Sequence, residues 1–362
     1  MAPQPVCAYL PADARGKCCM IRAMTTHAFM QYLDSKVAGL DAYLEGFFAD
    51  GTHPDMTTYL YGPLSAFSEN GGKRHRPLIC ALACKAVGGS EERAHAAGAA
   101  IEHFHTAALI HDDIADDSQL RRGKPCLHLQ IGEGLAINAG DLALSLVTGT
   151  VLADDGLDDA TKLRVLRELV DMTTRTIEGQ ALDIGWARDG RFDITVEDYV
   201  VMASHKTAYY SGAVPLAVGA IIGGGSDEQV ETLRAFGMST GLAFQLQDDL
   251  LNLVGTREAK AKDFRSDITE GKRTMIAVHA LAHTQGAERD ELLELLSSKT
   301  TDEERLERAV AIMRDAGSLE FTREYALRIA HEHDDDVKAV LPASPSRRLL
   351  LDMGDFFVSR LS

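Results

Sequence analysis

The sequence predicts an all-α protein with one domain, and three observations support this prediction. From Thr26 onward, apolar residues recur three and four positions apart, beginning with Phe29, Tyr32 and Leu33, which is the spacing of one helical face. Almost every later apolar segment keeps this period, and none alternates convincingly between apolar and polar residues, as a half-buried strand would. No shift in composition divides residues 30–360, so we expect one large domain, although the 362-residue chain exceeds the usual single-domain ceiling of roughly 250–300 residues.

The composition argues against several classes of partner. A net charge of −17 disfavours nucleic acid and anionic membrane surfaces. The longest apolar run, Gly212 to Gly225, is short and contains Pro215, so we predict no stable membrane insertion. The six cysteines show neither a secreted disulfide framework nor paired CxxC motifs, and Cys80 and Cys84 are interpreted as core thiols. We therefore expect a reducing compartment and a cytoplasmic location.

Residues 1–24 are expected to form a disordered N-terminal extension. This stretch contains prolines and three cysteines, shows no helical periodicity, and lacks the apolar core of a signal peptide. The stretch could instead reflect an upstream start codon, with Met24 as an alternative start. The single domain is therefore assigned to residues 25–362.

A glycine-rich basic segment, Gly71 to Pro77, interrupts the helical pattern just before a helix that is predicted to begin near Leu78. Glycines allow the backbone to approach an anion closely, and Lys73 and Arg76 supply positive charge. A plain basic loop between helices has the same composition, so this motif becomes informative only together with others.

The first acidic cluster lies at the end of a long apolar segment without glycine or proline. On a helix, Asp112 and Asp116 are one turn apart on one face, with Asp113 beside them. Because like charges at this spacing repel, such a helix needs cations, and Mg²⁺ fits since it takes carboxylates, waters and substrate phosphates as ligands. Arg121 and Arg122 follow, and arginine forks match phosphate oxygens. The pattern predicts a diphosphate site.

A second acidic cluster, Asp248, Asp249 and Asn252, repeats this pattern on another uninterrupted helical segment. A single Asp-Asp pair is more often a solvated acidic face. Two clusters on apolar helices, however, are predicted to face each other across a cavity and to hold a small group of metal ions between them.

Three histidines precede the first cluster. His105 lies seven residues before Asp112 and could turn towards the same cavity. His103, His105 and His111 could in principle form a transition-metal site with Asp112. Their spacings of two and six residues, however, do not place all three on one helical face.

Together these motifs resemble those of the trans-type isoprenyl diphosphate synthases, the polyprenyl synthetase family, from about residue 25 to residue 362. The segments that match the family's motifs, in the family's order, are Gly71–Pro77, Asp112–Gly123, His205–Thr207, Phe244–Asp249 and Lys262–Lys272.

The resemblance implies a single large antiparallel bundle of helices around a deep central cavity, normally in a homodimer. It implies head-to-tail condensation of an allylic diphosphate (dimethylallyl, geranyl or farnesyl) with isopentenyl diphosphate in trans. The cofactor would be Mg²⁺, usually three ions per active site, with Mn²⁺ able to substitute.

The resemblance also implies roles for individual residues. The metal ligands would be Asp112, Asp113, Asp116, Asp248, Asp249 and Asn252. The allylic diphosphate would be clamped by Arg121, Lys206 and Lys262, with Lys272 as a further substrate-binding residue. Isopentenyl diphosphate would be held by Lys73, Arg76, His105 and Arg122. The oxygens of Thr207 and Gln245 would stabilise the allylic cation, and no Ser-His-Asp or Cys-His nucleophile is needed.

Two positions depart from the family's common pattern. Asn252 stands where many members have a third aspartate, so it keeps an oxygen ligand and removes one charge. Geranylgeranyl diphosphate synthases of the eukaryotic type carry Asn there and also resemble this chain at Gly179–Ile184 and Asp267–Lys272. Asn252 is therefore interpreted as a subfamily mark, whereas Arg265, where the pattern has Gly, has no explanation from the sequence.

The length of the product is predicted from helix geometry. Ala107 and Ala108 lie about one turn before Asp112, so they are expected to floor the cavity below the metal ions. Short-chain members of the family usually carry a bulky aromatic there, so chain growth should pass C15. Phe104 would be the next floor, or else a core aromatic without that role. We predict mainly a C20 product, geranylgeranyl diphosphate, with C15 and C25 or longer as alternatives.

Other functions fit parts of the pattern. A terpene cyclase on the same fold would keep the first acidic motif but bind only one diphosphate, whereas Lys73, Arg76, His105 and Arg122 indicate a second diphosphate. A non-catalytic subunit of a heteromeric synthase would usually have lost an acidic motif. A purely structural helical protein has no use for buried acidic clusters.

Overall fold

A computed structural model describes residues 12–45, 51–254 and 264–359. Over these residues the chain is almost entirely helical, which confirms the predicted all-α class. The strands in this part of the chain are a two-residue antiparallel pair, Leu120–Arg121 (β1) and Lys124–Pro125 (β2). This hairpin follows the first acidic cluster directly and carries Arg121 towards it.

The helices follow one another with short connections. The first eight are α1 (Ala12–Glu45), α2 (Pro54–Met56), α3 (Gly62–Glu69), α4 (His75–Ala86), α5 (His95–Ala115), α6 (Leu127–Ile131), α7 (Glu133–Leu152) and α8 (Asp159–Arg188). The others are α9 (Val196–Ala203), α10 (Val214–Ile222), α11 (Asp227–Val254), α12 (Ser266–Thr269), α13 (Met275–His283), α14 (Gly286–Ser297), α15 (Glu303–Asp315), α16 (Ser318–Ile329), α17 (Asp334–Val340) and α18 (Pro345–Val358). A 3₁₀ turn covers Glu91–Ala94, and π-helical segments cover Thr57–Tyr61 and Ser204–Ala213.

Helix α1 begins further upstream than the sequence predicted. Residues 12–24, which were expected to be disordered, are helical from Ala12 onward. The stretch after Pro11 contains no further proline and consists mostly of Ala, Arg, Lys and Met, which have high helix propensity. The absence of apolar periodicity therefore did not exclude a helix here. Residues 1–11 lie outside the described residues.

Helix α10 forms the centre of the bundle. All its residues are buried, and it packs against α4, α8 and α11. A Cβ atom at Gly219 would lie 2.1 Å from the carbonyl oxygen of Cys80 in α4, so this close helix contact requires glycine. Cys80 and Cys84 are buried free thiols in α4, in agreement with their interpretation as core residues.

A cavity of about 940 Å³ lies within the bundle. Its walls come mainly from α5, α8, α11 and the π-helical segment Ser204–Ala213, which packs along both α8 and α11. The loop before α4 and the end of α18 contribute further lining residues. The basic segment and both acidic clusters therefore contribute residues to the same cavity.

Helix α7 is notably apolar. In the part of the chain that the structure describes, it is the one helix long and apolar enough to cross a membrane, judged by length and composition. Core helices of soluble proteins meet the same criteria, and α7 packs along α5. This single helix is therefore weak evidence for a membrane span.

Candidate active site

The structure brings the two acidic clusters to the same cavity. Asp112 and Asp116 lie in the last turns of α5, and Asp248 and Asp249 lie in α11. All four side chains line the cavity. The sequence predicted this arrangement from helical spacing, because residues four apart share a face.

Asp112 is held in place by α8. Its Oδ1 accepts a hydrogen bond of 2.7 Å from Nε2 of Gln180. Burial raises the pKa of Asp112, Lys206 opposes the shift, and the neighbouring charge of Asp116 reinforces it. The charged form of Asp112 is thus destabilised by its surroundings, which favours binding of a cation beside it.

Asp113, the neighbour of Asp112, does not line the cavity. It is buried, and its Oδ1 accepts a hydrogen bond of 2.9 Å from Nε of Arg121 in β1. The structure places Asp113 outside the cavity, although it was expected to be a metal ligand, because consecutive helical residues point about 100° apart at 3.6 residues per turn. Asp113 orients Arg121, and Arg121 itself lines the cavity.

In the second cluster, Asp249 is held from two sides. It accepts hydrogen bonds from the hydroxyl of Tyr199 (2.6 Å) and from Nε2 of Gln245 (2.7 Å). Burial, reinforced by the charge of Asp267, raises the pKa of Asp249 to about 8. Asp248 is the member of this pair whose carboxylate is not engaged by Tyr199 and Gln245.

Asn252 is also not among the cavity-lining residues, although it was expected to be a metal ligand. Its Nδ2 donates to the hydroxyl of Ser266 (3.1 Å), and its Oδ1 accepts from the backbone N–H of Asp267 (3.3 Å). The amide ties the segment that carries Asp267 to α11. A charged aspartate at this position could not donate a hydrogen bond to Ser266, because a carboxylate only accepts hydrogen bonds.

Arg265, which stands where the family's common pattern has Gly, adopts a backbone conformation that glycine favours. Its φ is +61°, in the left-handed region that glycine adopts most easily. Here the side chain pairs with Glu307 (2.5 Å) and stacks on Phe264, with 4.5 Å between the guanidinium carbon and the ring centre. These contacts offset part of the backbone strain.

Lysine side chains face the acidic residues. Lys206, in the π-helical segment, forms an ion pair with Asp183. Burial alone would lower the pKa of Lys206, but Asp183 and Asp112 raise it. Lys272 pairs with Glu270 and lies 3.7 Å from Asp116, so it connects the segment after α11 to α5. Lys262 lies outside the described residues.

A basic region lies at another part of the same cavity. Lys73, Arg76, His105 and Arg122 line it, as the resemblance implied. Arg76 donates to the hydroxyls of Tyr210 (3.0 Å) and Ser211 (2.9 Å). Arg122 donates to the backbone carbonyl of Gly71.

His105 is a neutral member of this region. Burial, together with the charge of Arg76, lowers the pKa of His105 well below its usual range. Its Nδ1 lies 3.4 Å from the Tyr210 hydroxyl. His103 is buried and does not line the cavity, although His111 does, so the structure does not support a three-histidine site.

The predicted floor of the cavity is partly corrected. Ala108 and Phe104 line the cavity, but Ala107 does not and instead packs with residues of α7. Ala108 is four residues before Asp112 and shares its face, whereas Ala107 is five residues before it and points elsewhere. Phe104 makes an edge contact with Tyr210, with ring centres 5.6 Å apart.

The sequence did not predict the residues that form hydrogen bonds or ion pairs with the predicted site residues. Gln180 binds Asp112, Asp183 binds Lys206, Tyr199 binds Asp249, and Tyr210 binds Arg76. Gln180 and Asp183 were visible in the Gly179–Ile184 match and lie three apart on one face of α8. Tyr199 and Tyr210 gave no signal that distinguished them from core aromatics.

The donor set suits a hard cation. Within the described ranges, no three His, Cys, Asp or Glu side chains are grouped closely enough to hold an ion by themselves. The two acidic helices offer carboxylate oxygens without a thiolate. Mg²⁺ commonly takes one or two carboxylates and completes its shell with waters and substrate phosphates, so the residues present fit it.

Comparison with known proteins agrees with this site. A short chain isoprenyl diphosphate synthase from Methanothermobacter thermautotrophicus is 39% identical over 293 residues, covering 80% of this chain and 87% of the relative. A geranylfarnesyl diphosphate synthase from Natronomonas pharaonis is 37% identical over 317 residues, covering 83% and 90%.

Solved structures show the same fold. Geranylgeranyl pyrophosphate synthetase from Pyrococcus horikoshii superposes with a TM-score of 0.84 at 29% identity, covering 92% of this chain and 98% of the other. Geranylgeranyl pyrophosphate synthase from Corynebacterium glutamicum, complexed with isoprenyl diphosphate and magnesium, has a TM-score of 0.79 at 29% identity, covering 94% and 98%.

The polyprenyl synthetase family model matches residues 57–313, which include the basic segment and both acidic clusters. The chain therefore belongs to the polyprenyl synthetase family and is an isoprenyl diphosphate synthase, a prenyltransferase.

Proposed function

We propose that this enzyme condenses an allylic diphosphate with isopentenyl diphosphate and that its main product is the C20 compound geranylgeranyl diphosphate. The observation that carries this proposal is that two sets of charged side chains, with different partners, line one cavity. One combines acidic helices with lysines, and the other is basic and centred on Lys73, Arg76 and Arg122. A condensation needs both sets because each substrate brings its own diphosphate.

We propose that Mg²⁺ is bound by Asp112, Asp116 and Asp248 together with the allylic diphosphate, as three ions, and that Mn²⁺ can replace it. When bound, the metal supplies positive charge that stabilises the departing diphosphate. Arg121, Lys206 and Lys272 line the same region and add fixed cations to that stabilisation. Lys262 is proposed to join this clamp.

The basic region is proposed to hold isopentenyl diphosphate so that its double bond faces the allylic carbon. Thr207 and Gln245 line the same cavity, and their oxygens are proposed to face the allylic cation. Breaking the allylic C–O bond moves its electron pair onto diphosphate, and the double bond of isopentenyl diphosphate then forms the new C–C bond. We propose that the departing diphosphate takes the proton that is lost afterwards.

The product length is supported by the residues below the acidic clusters. Ala108 leaves space beside α5, whereas Phe104, one turn deeper, is bulky and lines the cavity. The space at Ala108 would let the chain grow beyond C15, and the aromatic side chain of Phe104 would then stop it, which favours a C20 product. A C25 product is the main alternative, since one relative is named a geranylfarnesyl diphosphate synthase.

We propose that the enzyme is a homodimer. Four apolar side chains of α8, Leu163, Val170, Ile177 and Ile184, recur every seven residues and are 43–62% exposed. A row of exposed apolar side chains along one helix, here called the apolar stripe, is a feature of interaction surfaces. Ile177 and Ile184 also line the cavity, so a partner on this face would complete its wall.

We also propose a cytoplasmic location without membrane insertion. Cys80, Cys84 and Cys126 are buried free thiols, which suits a reducing compartment. Fractionation of cells followed by immunodetection tests this proposal, and recovery in the membrane pellet after a salt wash would contradict it.

The central experiment incubates the purified chain with Mg²⁺, isopentenyl diphosphate and each of the dimethylallyl, geranyl and farnesyl starters. Chain-length analysis should find mainly C20 product. Accumulation of C15 or C25 would correct the length, and failure to elongate any starter would contradict the function. Incubation with geranylgeranyl diphosphate alone tests for a terpene cyclase, which would release a hydrocarbon.

A further inference from the structure

Thr176 in α8 is a buried threonine with an unusual hydrogen-bonding state. Its side chain is 7% exposed, and its Oγ1 has no hydrogen-bond partner among the described residues. Two neighbours on the same helix behave differently, since Thr173 donates to the carbonyl of Leu169 (2.8 Å) and Thr174 to that of Val170 (3.0 Å). A buried, unpaired hydroxyl is destabilising and calls for an explanation.

The position of Thr176 points to the substrate. The residue lines the cavity and lies four residues, about 6 Å along the helix axis, before Gln180. Gln180 in turn binds Asp112. Thr176 therefore lies about one helical turn from the place where the acidic helices would hold the allylic diphosphate. The first isoprene unit, which is attached to that diphosphate, would lie beside Thr176.

We propose that the Thr176 hydroxyl is a catalytic group that stabilises the allylic cation, an inference that rests on the proposed function. When the allylic C–O bond breaks, its electron pair leaves with diphosphate, and positive charge is shared between C1 and C3. The lone pairs of the Thr176 oxygen are free to face that charge from the α8 wall. The charge disappears when the double bond of isopentenyl diphosphate bonds to C1 and a proton is lost.

The test compares three variants. Thr176→Val keeps the shape but removes the hydroxyl, and Thr176→Ser keeps the hydroxyl. Thr150→Val is the matched control, since Thr150 in α7 is 3% exposed, its Oγ1 has no partner in the described part of the chain, and it does not line the cavity. Single-turnover rates with farnesyl diphosphate and isopentenyl diphosphate, KM for isopentenyl diphosphate, and melting temperature are measured for each.

Thr176→Val should lower the single-turnover rate about tenfold, the size expected for the loss of one neutral hydrogen-bonding group. Its KM for isopentenyl diphosphate should stay near the wild-type value, and its melting temperature should stay the same or rise, because a methyl group replaces an unpaired buried hydroxyl. Thr176→Ser should recover most of the rate, and Thr150→Val should leave it unchanged. With 2-fluorofarnesyl diphosphate, whose fluorine destabilises the cation, the loss in Thr176→Val should be larger.

A rate within twofold of wild type in Thr176→Val would overturn the proposal while leaving the prenyltransferase function intact. Equal losses with the fluorinated and natural substrates, or a loss that Thr176→Ser does not recover, would assign Thr176 a packing role and also overturn it. A wild-type chain that forms no prenyl product would instead contradict the proposed function itself.

Discussion

The adjacent aspartates Asp112 and Asp113 have different surroundings and should have different effects when changed. Asp112→Asn removes a charge from the cavity and should raise the Mg²⁺ concentration needed for half-maximal activity. Asp113→Asn weakens the contact that orients Arg121 and should raise KM for the allylic diphosphate, by about tenfold or more as for other residues that support a ligand. Steady-state kinetics at several Mg²⁺ concentrations measure both quantities.

Asp113→Asn serves as the control for Asp112→Asn because it makes the same chemical change one position along the helix. A Mg²⁺ requirement that rises equally in both variants would show that Asp113 is a metal ligand after all.

At Phe104 the expected effect is on product length. Phe104→Ala removes the aromatic barrier below Ala108 and should shift the product beyond C20, as chain-length analysis would show. Truncating a buried Phe typically costs about 3–5 kcal/mol of stability, so the milder Phe104→Leu is made in parallel. Ala108→Phe is the opposite change and should stop growth at C15. An unchanged product distribution in the Phe104 variants would remove this residue as the floor.

At the scale of single residues, the sequence predicted which side chains share a helical face, because helical spacing alone decides this. Asp112 and Asp116 share a face with Ala108 because they are four residues apart, and the structure places all three on the cavity. Asp113 and Asn252 could not be assigned this way. Their partners, Arg121 and Ser266, come from a hairpin and a loop whose positions no local pattern specifies.

At the scale of elements, the contact between α8 and the π-helical segment positions Lys206. A Cβ atom at Gly179 would lie 2.2 Å from the backbone nitrogen of Lys206. Gly179→Ala should therefore push the segment away from α8, lower the melting temperature and abolish most activity. Gly185→Ala is the matched control on the same helix, since a Cβ there would meet nothing within 4 Å.

Gly185→Ala should keep full activity and gain about 0.5–1 kcal/mol of stability, because Ala is the better helix former. Equal behaviour of the two variants in activity assays and thermal melts would contradict the role given to this helix contact.

His331 joins the α16–α17 corner to α18. Its Nδ1 lies 3.1 Å from Asp334 and its Nε2 lies 3.4 Å from Asp355. The hydrogen bond with Asp334 and the nearby carboxylate of Asp355 raise the pKa of His331 from 6.5 to about 9. Because the folded pKa is the higher one, the charged histidine contributes its full stability below pH 6.5 and loses it as the pH rises through about 9.

We therefore expect His331→Gln to lower the melting temperature at pH 6 and to have little effect at pH 9.5. Thermal melts of both proteins across this range measure the difference. A difference that is constant with pH, or that grows towards high pH, would contradict the assignment.

The elements themselves were predictable to different degrees. The helices that carry the two acidic clusters were predicted because their apolar spacing is regular and uninterrupted. The π-helical segment that presents Lys206 was not predicted, since π-helical turns are rare and leave no distinct periodic signal in the sequence. The early start of α1 was missed because helix propensity, without amphipathic spacing, leaves no periodic signal.

At the scale of the whole molecule, the apolar stripe of α8 predicts the oligomeric state. Val170→Arg places a charge in the middle of the stripe and should convert a dimer to a monomer in sedimentation velocity experiments. Activity should fall with it, because Ile177 and Ile184 would no longer be covered beside the cavity. Val201→Arg in α9, at a comparably exposed valine, should leave the dimer intact.

A wild-type chain that sediments as a monomer would contradict the dimer, as would a Val170→Arg variant that still dimerises. The sequence suggested a dimer by resemblance alone. The stripe became visible only when the structure showed which apolar residues of α8 remain exposed.

The central claim is that both acidic helices act together on one diphosphate through bound metal. It is tested most directly by calorimetric binding of farnesyl S-thiolodiphosphate, an unreactive allylic analogue, with and without Mg²⁺, to the wild type, Asp112→Asn, Asp248→Asn and the double variant. We expect Mg²⁺-dependent binding that either single change weakens about tenfold or more, with little further loss in the double variant because the two sites are coupled. Binding that is independent of Mg²⁺, or that either variant retains in full, would contradict the claim.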